Sequence, residues 1–197
     1  MSPVNQQLGE LIKLIELTEL SAQALRRRAM CGESVIISID GPAGSGKTTL
    51  ATELASTLPD SQIIHMDDLY LGWQNTLTIS LTENLLGIVA EIAGQARVTY
   101  RKFNWLTSSL GEVVEYQAPR FLILEGVGSG QSAIRPSISM SVWIEVPVEI
   151  GLERVIRRDG EIVRDHMRAF LADQESHFQK EETKMHAEYH FNGLGIV

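Results

Sequence analysis

An eight-residue glycine-rich segment constrains the fold of this 197-residue chain more than any other part of its sequence. Residues 41–48 read Gly-Pro-Ala-Gly-Ser-Gly-Lys-Thr and fill the pattern GxxxxGK[ST]. The β-branched run Val35–Asp40 before it predicts a buried strand, and residues 47–58 after it have a helical pattern. A strand, a glycine-rich turn and a helix in this order are the context in which this pattern binds phosphate.

The residue types in this segment suit a nucleotide. Its glycines let the backbone wrap around a phosphate with N–H groups pointing inward, and the following helix adds the positive end of its dipole. Lys47 is expected to reach the β- and γ-phosphates, and the Thr48 hydroxyl to bind Mg²⁺. A turn that binds nothing is the alternative, which Lys and Thr at the required offsets disfavour. The predicted nucleotide-binding set is Gly41, Pro42, Ala43, Gly44, Ser45, Gly46, Lys47, Thr48 and Thr49.

Apolar runs and helical patterns alternate along the chain, as they do in βαβ units. Further runs typical of strands lie at 62–66, 121–124 and 141–146, and helical patterns lie at 80–94 and 149–158. The alternation predicts a three-layer α/β fold, with a parallel sheet covered by helices on both faces. Two C-terminal elements follow, a charged helix at 162–186 and a short strand in the string YHFNG that ends at Gly193.

A long helical pattern at residues 5–29 precedes the first strand, with Arg26, Arg27 and Arg28 in its last turn. Its apolar side chains recur at helical spacing and predict a docked face. The members of this face are Leu8, Leu11, Ile12, Leu14, Ile15 and Leu17. The helix covers either its own sheet or a second subunit, so a homodimer stays open. With no repeat, linker or low-complexity tract, residues 1–197 are predicted to form a single domain.

Charge and cysteine content exclude several classes of protein. The formal net charge is −8, and no basic patch interrupts it, so we expect no nucleic-acid partner. The single cysteine, Cys31, forms neither an internal disulfide nor a cysteine-based zinc site. The first residues lack a signal-peptide pattern, and no apolar run reaches the roughly 18 residues that span a bilayer. A cytoplasmic protein without a membrane partner is expected.

The glycine-rich loop does not by itself separate GTPases, ATPase motors, transporter ATPases and small-molecule kinases. No Asn-Lys-x-Asp string for guanine recognition is present. Residues 128–131 superficially match a transporter-ATPase signature, but that signature precedes the acidic strand of the magnesium site, whereas these residues follow Glu125. We interpret them as a flexible loop after a strand.

The string His-Met-Asp-Asp-Leu-Tyr at residues 65–70 follows the second predicted strand. With it the chain resembles the uridine kinase and phosphoribulokinase family. Further strings of that family follow in the same order at 100–105, 124–126, 154–159 and 187–192, so the resemblance covers about residues 35–193. It implies a P-loop kinase that uses ATP and Mg²⁺ to phosphorylate a small molecule.

Three acidic residues are candidates for the chemistry. A kinase that acts on a hydroxyl needs a carboxylate beside the γ-phosphate to take the proton, and Asp67 follows a strand that ends near the loop. The resemblance assigns the same role to Asp67. Asp68 either contacts magnesium or the acceptor, or is a solvated carboxylate. Glu125 should emerge at the carboxyl edge of the sheet, and it resembles the family's acid that assists the magnesium ion.

Arginines in a late helix form a second candidate group. Arg154, Arg157, Arg158 and Arg164 lie where such kinases carry a mobile lid, here predicted as short and around 154–165. Guanidinium groups suit the charge on a transferred phosphoryl group. Arg154 and Arg158 resemble the family's catalytic arginines best, while Gly151 stands where the family often has an arginine. For any one of them, a surface ion pair with a neighbouring acid is the alternative.

Aromatic and polar side chains predict a pocket for the phosphoryl acceptor. The pocket candidates are Asp68, Tyr70, Trp73, Tyr100, Arg101 and Trp105, a composition that suits a polar ring or a sugar-like body. Core packing is the alternative for the aromatic members. Asn104 replaces an aspartate that the family often has, which weakens any transfer of uridine specificity.

These patterns favour magnesium-dependent transfer of the ATP γ-phosphoryl group to a hydroxyl of a small polar metabolite. Lys47, Asp67, Arg154 and Arg158 are the candidate catalytic residues, and Thr48 and Glu125 the candidate magnesium residues. ATP-binding regulation through the N-terminal helix, or an ATPase subunit of a larger complex, is the alternative function. The preference for ATP over GTP comes from the resemblance.

Overall fold

The structure is a computed structural model that describes the backbone of residues 3–195 and the side chains of residues 14–195. Its helices, in chain order, are α1 (Pro3–Arg26), α2 (Lys47–Thr57), α3 (Met66–Leu69), α4 (Ile79–Gln95), α5 (Val148–Asp159), α6 (Arg164–Glu181) and α7 (Thr183–His186). Its strands are β1 (Val35–Asp40), β2 (Ser61–His65), β3 (Arg97–Asn104), β4 (Ser109–Gln117), β5 (Phe121–Glu125), β6 (Ile138–Glu145) and β7 (Tyr189–Asn192).

Five strands form a parallel sheet in the order β2-β5-β1-β6-β7. Strand β1 lies at the centre, with β5 on one side and β6 on the other. Open α/β sheets bind ligands at the carboxyl ends of the strands where the order reverses, and the loop 41–48 leaves β1 at that point. The predicted α/β fold is confirmed.

The alternation of side chains along the strands divides the core into two layers. Ile36 of β1 faces the layer that contains α4 and α6, whereas Ile37 and Ile39 face the layer that contains α1 and α2. All six residues of β1 are buried, as the apolar run predicted for a strand covered on both faces. The sheet therefore holds the loop 41–48 on a rigid support.

The N-terminal helix packs on this sheet layer by its second half. Leu20 and Ala24 are buried against the α2 side of the core, and Leu17 packs beside them, whereas Leu14 and Ile15 are exposed. The side chains of the remaining predicted members, Leu8, Leu11 and Ile12, lie outside the described residues. The helix ends at Arg26 rather than at residue 29.

The structure contains a β-hairpin that our sequence analysis did not predict. Strands β3 and β4 pair antiparallel and form a separate two-stranded sheet. Exposed and half-buried residues mix along both strands, so neither shows a clear apolar run. The predicted helix 162–186 is also wrong in detail, because the chain breaks at Glu182, whose φ of 52° is left-handed, between α6 and α7.

The loop after β5 is not the flexible segment that we expected. Residues 126–131 are all buried, and the backbone N–H groups of Gly128 and Gly130 donate hydrogen bonds to Asp40. Over the described part of the chain, no helix is long and apolar enough to cross a membrane.

Candidate functional site

The glycine-rich loop passes so close to its neighbours that two of its glycines have no room for a side chain. A Cβ atom at Gly41 would lie 2.2 Å from the carbonyl oxygen of Ile144, and one at Gly44 would lie 2.2 Å from that of Gly151. Both residues also have a positive φ, 141° and 73°. The loop conformation is therefore specified by its packing against β6 and α5 as well as by its own sequence.

Lys47 lies within this loop rather than extending from it. Its ammonium group donates to the carbonyl oxygens of Gly41 (2.8 Å) and Pro42 (2.7 Å). Burial lowers the pKa of Lys47, although the nearby carboxylates of Glu125, Asp40 and Asp67 favour its charged form. The lysine thus holds the loop closed and places a positive charge beside three acids.

Asp40, at the end of β1, binds the start of the glycine-rich loop. The sequence analysis did not include it among the site residues. This buried carboxylate accepts hydrogen bonds from the backbone N–H groups of Gly41 (2.7 Å), Gly128 (3.1 Å) and Gly130 (3.0 Å). It therefore joins the loop after β1 to the loop after β5. The sequence does contain a signal for Asp40, because it is an acidic residue at the end of a mostly apolar strand and directly precedes the glycine-rich segment.

Asp40 predicts a pH dependence of stability. Burial raises the pKa of its carboxyl group to about 6 from an ordinary value of 3.8, against the lowering effect of the backbone N–H groups and Lys47. Because this pKa is higher in the folded than in the unfolded protein, the group stabilises the fold most at low pH and loses that contribution as the pH rises through about 6. We expect the free energy of unfolding of the wild type, relative to Asp40→Asn, to fall by up to about 3 kcal/mol from about pH 4 to about pH 7.5. Urea unfolding at several pH values measures this, and a difference that rises with pH would contradict it.

Glu125, at the end of β5, lies beside the start of α2. Its buried carboxylate accepts a hydrogen bond from Thr48 Oγ1 (3.1 Å) and contacts His65 Nδ1. The hydrogen bond to Glu125 is the chief cause that raises the pKa of His65. Strands β2 and β5 pair in register at these two residues, which explains the contact. The sequence analysis placed Thr48 and Glu125 at one site but did not include His65.

The oxygen ligands at this point fit a magnesium ion. Magnesium prefers hydroxyl, carboxylate, water and phosphate oxygens, and it is held in proteins by one or two carboxylates together with substrate phosphates. Thr48 and Glu125 supply a hydroxyl and a carboxylate within hydrogen-bond distance of each other. These two residues are the ones that would hold the ion beside the loop.

The adjacent acids Asp67 and Asp68 point to different surroundings. Asp67, in the first turn of α3, lines the same cavity as Lys47 and Glu125. Desolvation by the walls of the cavity and repulsion from the Glu125 carboxylate raise the pKa of Asp67. The positive charges of Lys47, Arg158 and His65 lower it. Asp68 instead forms an ion pair with Lys102 of β3 (3.2 Å) and does not line the cavity. Of the two, only Asp67 is placed to meet a ligand in the cavity.

All three arginines of α5 line the cavity, and each also has a partner within the protein. Arg154 donates to the carbonyl oxygens of Gly44 (3.2 Å) and Gly193 (2.9 Å), so it ties the glycine-rich loop to the C-terminal segment. Arg158 lines the cavity and pairs with Asp159 through two hydrogen bonds of 2.7 Å. Arg157 also lines it and pairs with Glu153 at 3.6 Å.

Arg164, in contrast, pairs with Glu161 and does not line the cavity. Arg157, Arg158 and Arg164 therefore each form an ion pair with a neighbouring acid, as the alternative in the sequence analysis predicted.

Gly151 is a packing residue of α5 rather than a site for an arginine. A Cβ atom there would lie 2.3 Å from the carbonyl oxygen of Ala43. The backbone N–H of the same residue, Ala43, donates a hydrogen bond to Gln174 of α6 (2.8 Å). Helices α5 and α6 thus fix the outer turn of the glycine-rich loop, and neither contact was predicted from the sequence.

We expect Gly151→Ala to destabilise the protein by about 1–3 kcal/mol, because the new methyl group overlaps the loop backbone. The matched control is Gly87→Ala in α4, where a Cβ atom has nothing within 4 Å. Alanine favours a helix over glycine, so Gly87→Ala should stabilise by about 1 kcal/mol. Urea unfolding and ATP titration of both variants check the prediction. Equal effects of the two substitutions would show that the loop does not need this close approach.

A cavity of about 1090 Å³ opens beside the glycine-rich loop. Part of its wall is aromatic: Trp73 stacks on His166 with ring centroids 4.9 Å apart and meets Trp105 edge-on at 5.1 Å. The Trp105 indole N–H donates to the backbone carbonyl of Asp67 (3.0 Å), which holds this wall next to the acid. The Tyr70 hydroxyl is already bound to the Val127 carbonyl (2.7 Å), so Tyr70 presents its ring.

Most of the predicted site residues line this single cavity. They are Ala43, Gly44, Gly46, Lys47, Thr48, Thr49, Asp67, Tyr70, Trp73, Trp105, Glu125, Arg154 and Arg158. Asp68, Tyr100 and Arg101 do not line it, because Asp68 turns to Lys102, Tyr100 packs against the core and Arg101 is exposed on the hairpin. Gly41, Pro42 and Ser45 form the body of the loop behind the lining. His166, Met167 and Phe170 of α6 also line the cavity and were not predicted.

Known proteins resemble this chain in sequence and in fold. No protein family model matches the sequence. Over 150 residues the chain is 25% identical to uridine-cytidine kinase C from Dictyostelium discoideum, a match that covers 70% of this chain and 32% of that protein. The chain therefore spans about a third of the length of this curated relative.

Two solved structures share the fold. A possible uridine kinase from Bacillus stearothermophilus superposes with a TM-score of 0.63 at 20% identity, over 91% of this chain and 99% of that one. A candidate fructose transport system kinase from Silicibacter sp. TM1040 superposes with a TM-score of 0.62 at 19% identity, over 89% and 98%. The chain thus has the α/β fold of P-loop kinases and is similar in sequence to a uridine-cytidine kinase.

Proposed function

We propose that this protein is a kinase that transfers the γ-phosphoryl group of ATP, with magnesium, to a hydroxyl group of a small metabolite. The observation that carries the proposal is the convergence of Lys47, Thr48, Asp67 and Glu125 on one cavity that also has an aromatic wall. The sequence and fold relatives named above support the same class of reaction.

In the proposed reaction, the acceptor oxygen forms a bond to the γ-phosphorus while the bond to the β–γ bridging oxygen breaks and releases ADP. Asp67 takes the proton of the attacking hydroxyl, a role that fits its place in the lining of the cavity together with Lys47 and Arg158. Lys47 and Arg158 stabilise the negative charge on the phosphate oxygens. Magnesium, when bound, neutralises further charge on these oxygens.

We further propose that residues 154–165 act as a short lid of a single kinase domain. Ile162 and Val163 line the cavity together with Arg158, and Gly160, with a φ of 90°, separates α5 from the turn that carries them. Closure of this segment over bound ATP would exclude water that otherwise hydrolyses the nucleotide. We propose the cytoplasm as the site of action, and no nucleic-acid or membrane partner.

Purified protein tests the proposal by ATP consumption with magnesium against a panel of nucleosides, sugars and vitamins that bear a hydroxyl group. We expect one class of acceptor to accelerate ADP release and to yield its phosphate ester. ATP binding without acceleration by any acceptor would contradict the kinase and favour an ATP-binding regulatory module or a partner-dependent ATPase.

A further inference from the structure

A second, smaller cavity lies between the β1–β6 strand pair and α7. Its volume is about 120 Å³, and among the described residues it shares no lining residue with the cavity beside the glycine-rich loop. Ser38 of β1 and Ser141 of β6, which pair in register, line it from the sheet. Gly130 of the loop after β5, Arg135 before β6 and Thr183 of α7 line it from the other elements. The proposed phosphoryl transfer gives this cavity no role.

One hydroxyl group in this lining has no partner. Thr183 is only 4% exposed, and its Oγ1 makes no hydrogen bond with any described residue. A Cβ atom at Gly130 would lie 2.7 Å from Thr183 Cγ2, so the loop backbone packs closely against this side chain. Buried hydroxyl groups without a partner are rare in proteins. A ligand in the adjacent cavity is a source of the missing partner.

Arg135 adds a positive charge to the same lining. Its Nη2 donates to the backbone carbonyl oxygens of Gly130 (3.3 Å) and Glu181 (2.6 Å), which hold the guanidinium group in place. Its Nε and Nη1 form no hydrogen bond, and the group forms no ion pair, with any described residue. A guanidinium group with unused N–H donors is suited to the oxygens of a carboxylate or a phosphate.

The other charged side chains of this lining already have partners. Glu188 forms an ion pair with Arg27, and His186 lies 3.8 Å from the carboxylate of Glu182. Within the described part of the chain, Arg135 is therefore the charged group of the lining that lacks a counter-ion. An anion in the cavity would supply both this counter-ion and an acceptor for the Thr183 hydroxyl.

We infer that Arg135 and Thr183 form a binding site for a small oxyanion, which carries a carboxylate or a phosphate group. The guanidinium group pairs with its charge, and the Thr183 hydroxyl donates to one of its oxygens. The cavity volume equals that of about four water molecules at about 30 Å³ each, so the site takes an ion as small as acetate or phosphate and has no room for a nucleotide. The site does not depend on the proposed kinase function.

Inorganic phosphate and acetate, titrated separately into the full chain, test the site. The amide resonance of Gly130 in NMR spectra reports this cavity, whereas that of Gly46 reports phosphate bound in the glycine-rich loop. We expect at least one of the two ions to shift the Gly130 resonance to saturation, and chloride at the same ionic strength to leave it in place. Saturation by phosphate alone or by acetate alone supports the site and identifies the anionic group. No saturable shift at Gly130 with either ion would show that the cavity holds water only and would overturn the inference.

Two substitutions test the residues. Arg135→Met removes the charge, and Thr183→Val keeps the shape of the side chain but removes its hydroxyl. We expect each to weaken binding of the ion about tenfold, whereas Thr183→Ser should stay within about twofold of the wild type. Thr183→Val removes no hydrogen bond that the protein itself makes, so it tests the site even where Arg135→Met fails to fold.

Thr78→Val is the matched control, because Thr78 Oγ1 also lacks a partner but Thr78 does not line this cavity. It should bind the ion as the wild type does. Urea unfolding of each variant reports that it folds. Ion affinity that is unchanged in Thr183→Val, or that falls equally in Thr78→Val, would refute the site.

Discussion

Replacing Asp67 with asparagine is expected to lower kcat by about 10²- to 10⁴-fold, the range that a positioned general base contributes. Asparagine keeps the size of the side chain but cannot take the acceptor proton. ATP affinity should stay close to that of the wild type, because the glycine-rich loop and Lys47 are unchanged. Acceptor-dependent ADP release measures kcat, and calorimetry measures ATP binding.

The neighbouring acid provides a matched control for this variant. Asp68→Asn removes the same charge one residue along the chain, but Asp68 pairs with Lys102 outside the cavity. We expect Asp68→Asn to keep kcat within a few-fold of the wild type. Similar losses in both variants would indicate a general effect of charge on α3 and would rule out Asp67 as the base.

Lys47→Met should abolish most nucleotide-dependent activity, with a loss of about 10²- to 10³-fold in kcat and weaker ATP binding. Methionine keeps much of the aliphatic length but removes the ammonium group. This group donates hydrogen bonds to the Gly41 and Pro42 carbonyls, and the nearby carboxylates of Glu125, Asp40 and Asp67 favour its charged form. The variant therefore loses both the loop contact and the charge that stabilises the phosphate.

Lys102→Met serves as the control, because it removes a lysine that pairs with Asp68 and does not line the cavity. Lys102→Met should bind ATP as the wild type does. ATP affinity that is equal in the two lysine variants would contradict the assignment of Lys47 to the phosphates. Together with Asp67→Asn, these variants separate nucleotide binding from proton removal.

Much of the α/β framework was predictable because its central strands, β1 and β5, are buried on both faces. The run Val35–Asp40 was predicted with the bounds that the structure has, and α2 begins at Lys47 as predicted. The strand at 62–66 was displaced by one residue, because Met66 already begins α3. Such errors arise where an apolar residue can belong to either element.

The hairpin of β3 and β4 was not predictable in the same way. It forms a separate sheet whose residues are mostly exposed or half-buried, so its sequence lacks the apolar run that marks a central strand. The motif at residues 100–105 lies in and just after β3, where Tyr100 and Arg101 turn away from the cavity while Trp105 lines it. Sequence spacing could not distinguish these orientations.

Local sequence pattern was enough to predict the glycine-rich loop and the α/β class, and to place Asp67 and Glu125 at or just after the ends of strands. Which side chains share the cavity depends instead on the tertiary structure. In the folded protein Asp68 pairs with Lys102, Arg154 donates a hydrogen bond to the Gly44 carbonyl of the loop, and His166 of α6 stacks on Trp73. These choices depend on packing between elements distant in the chain, which no local pattern records.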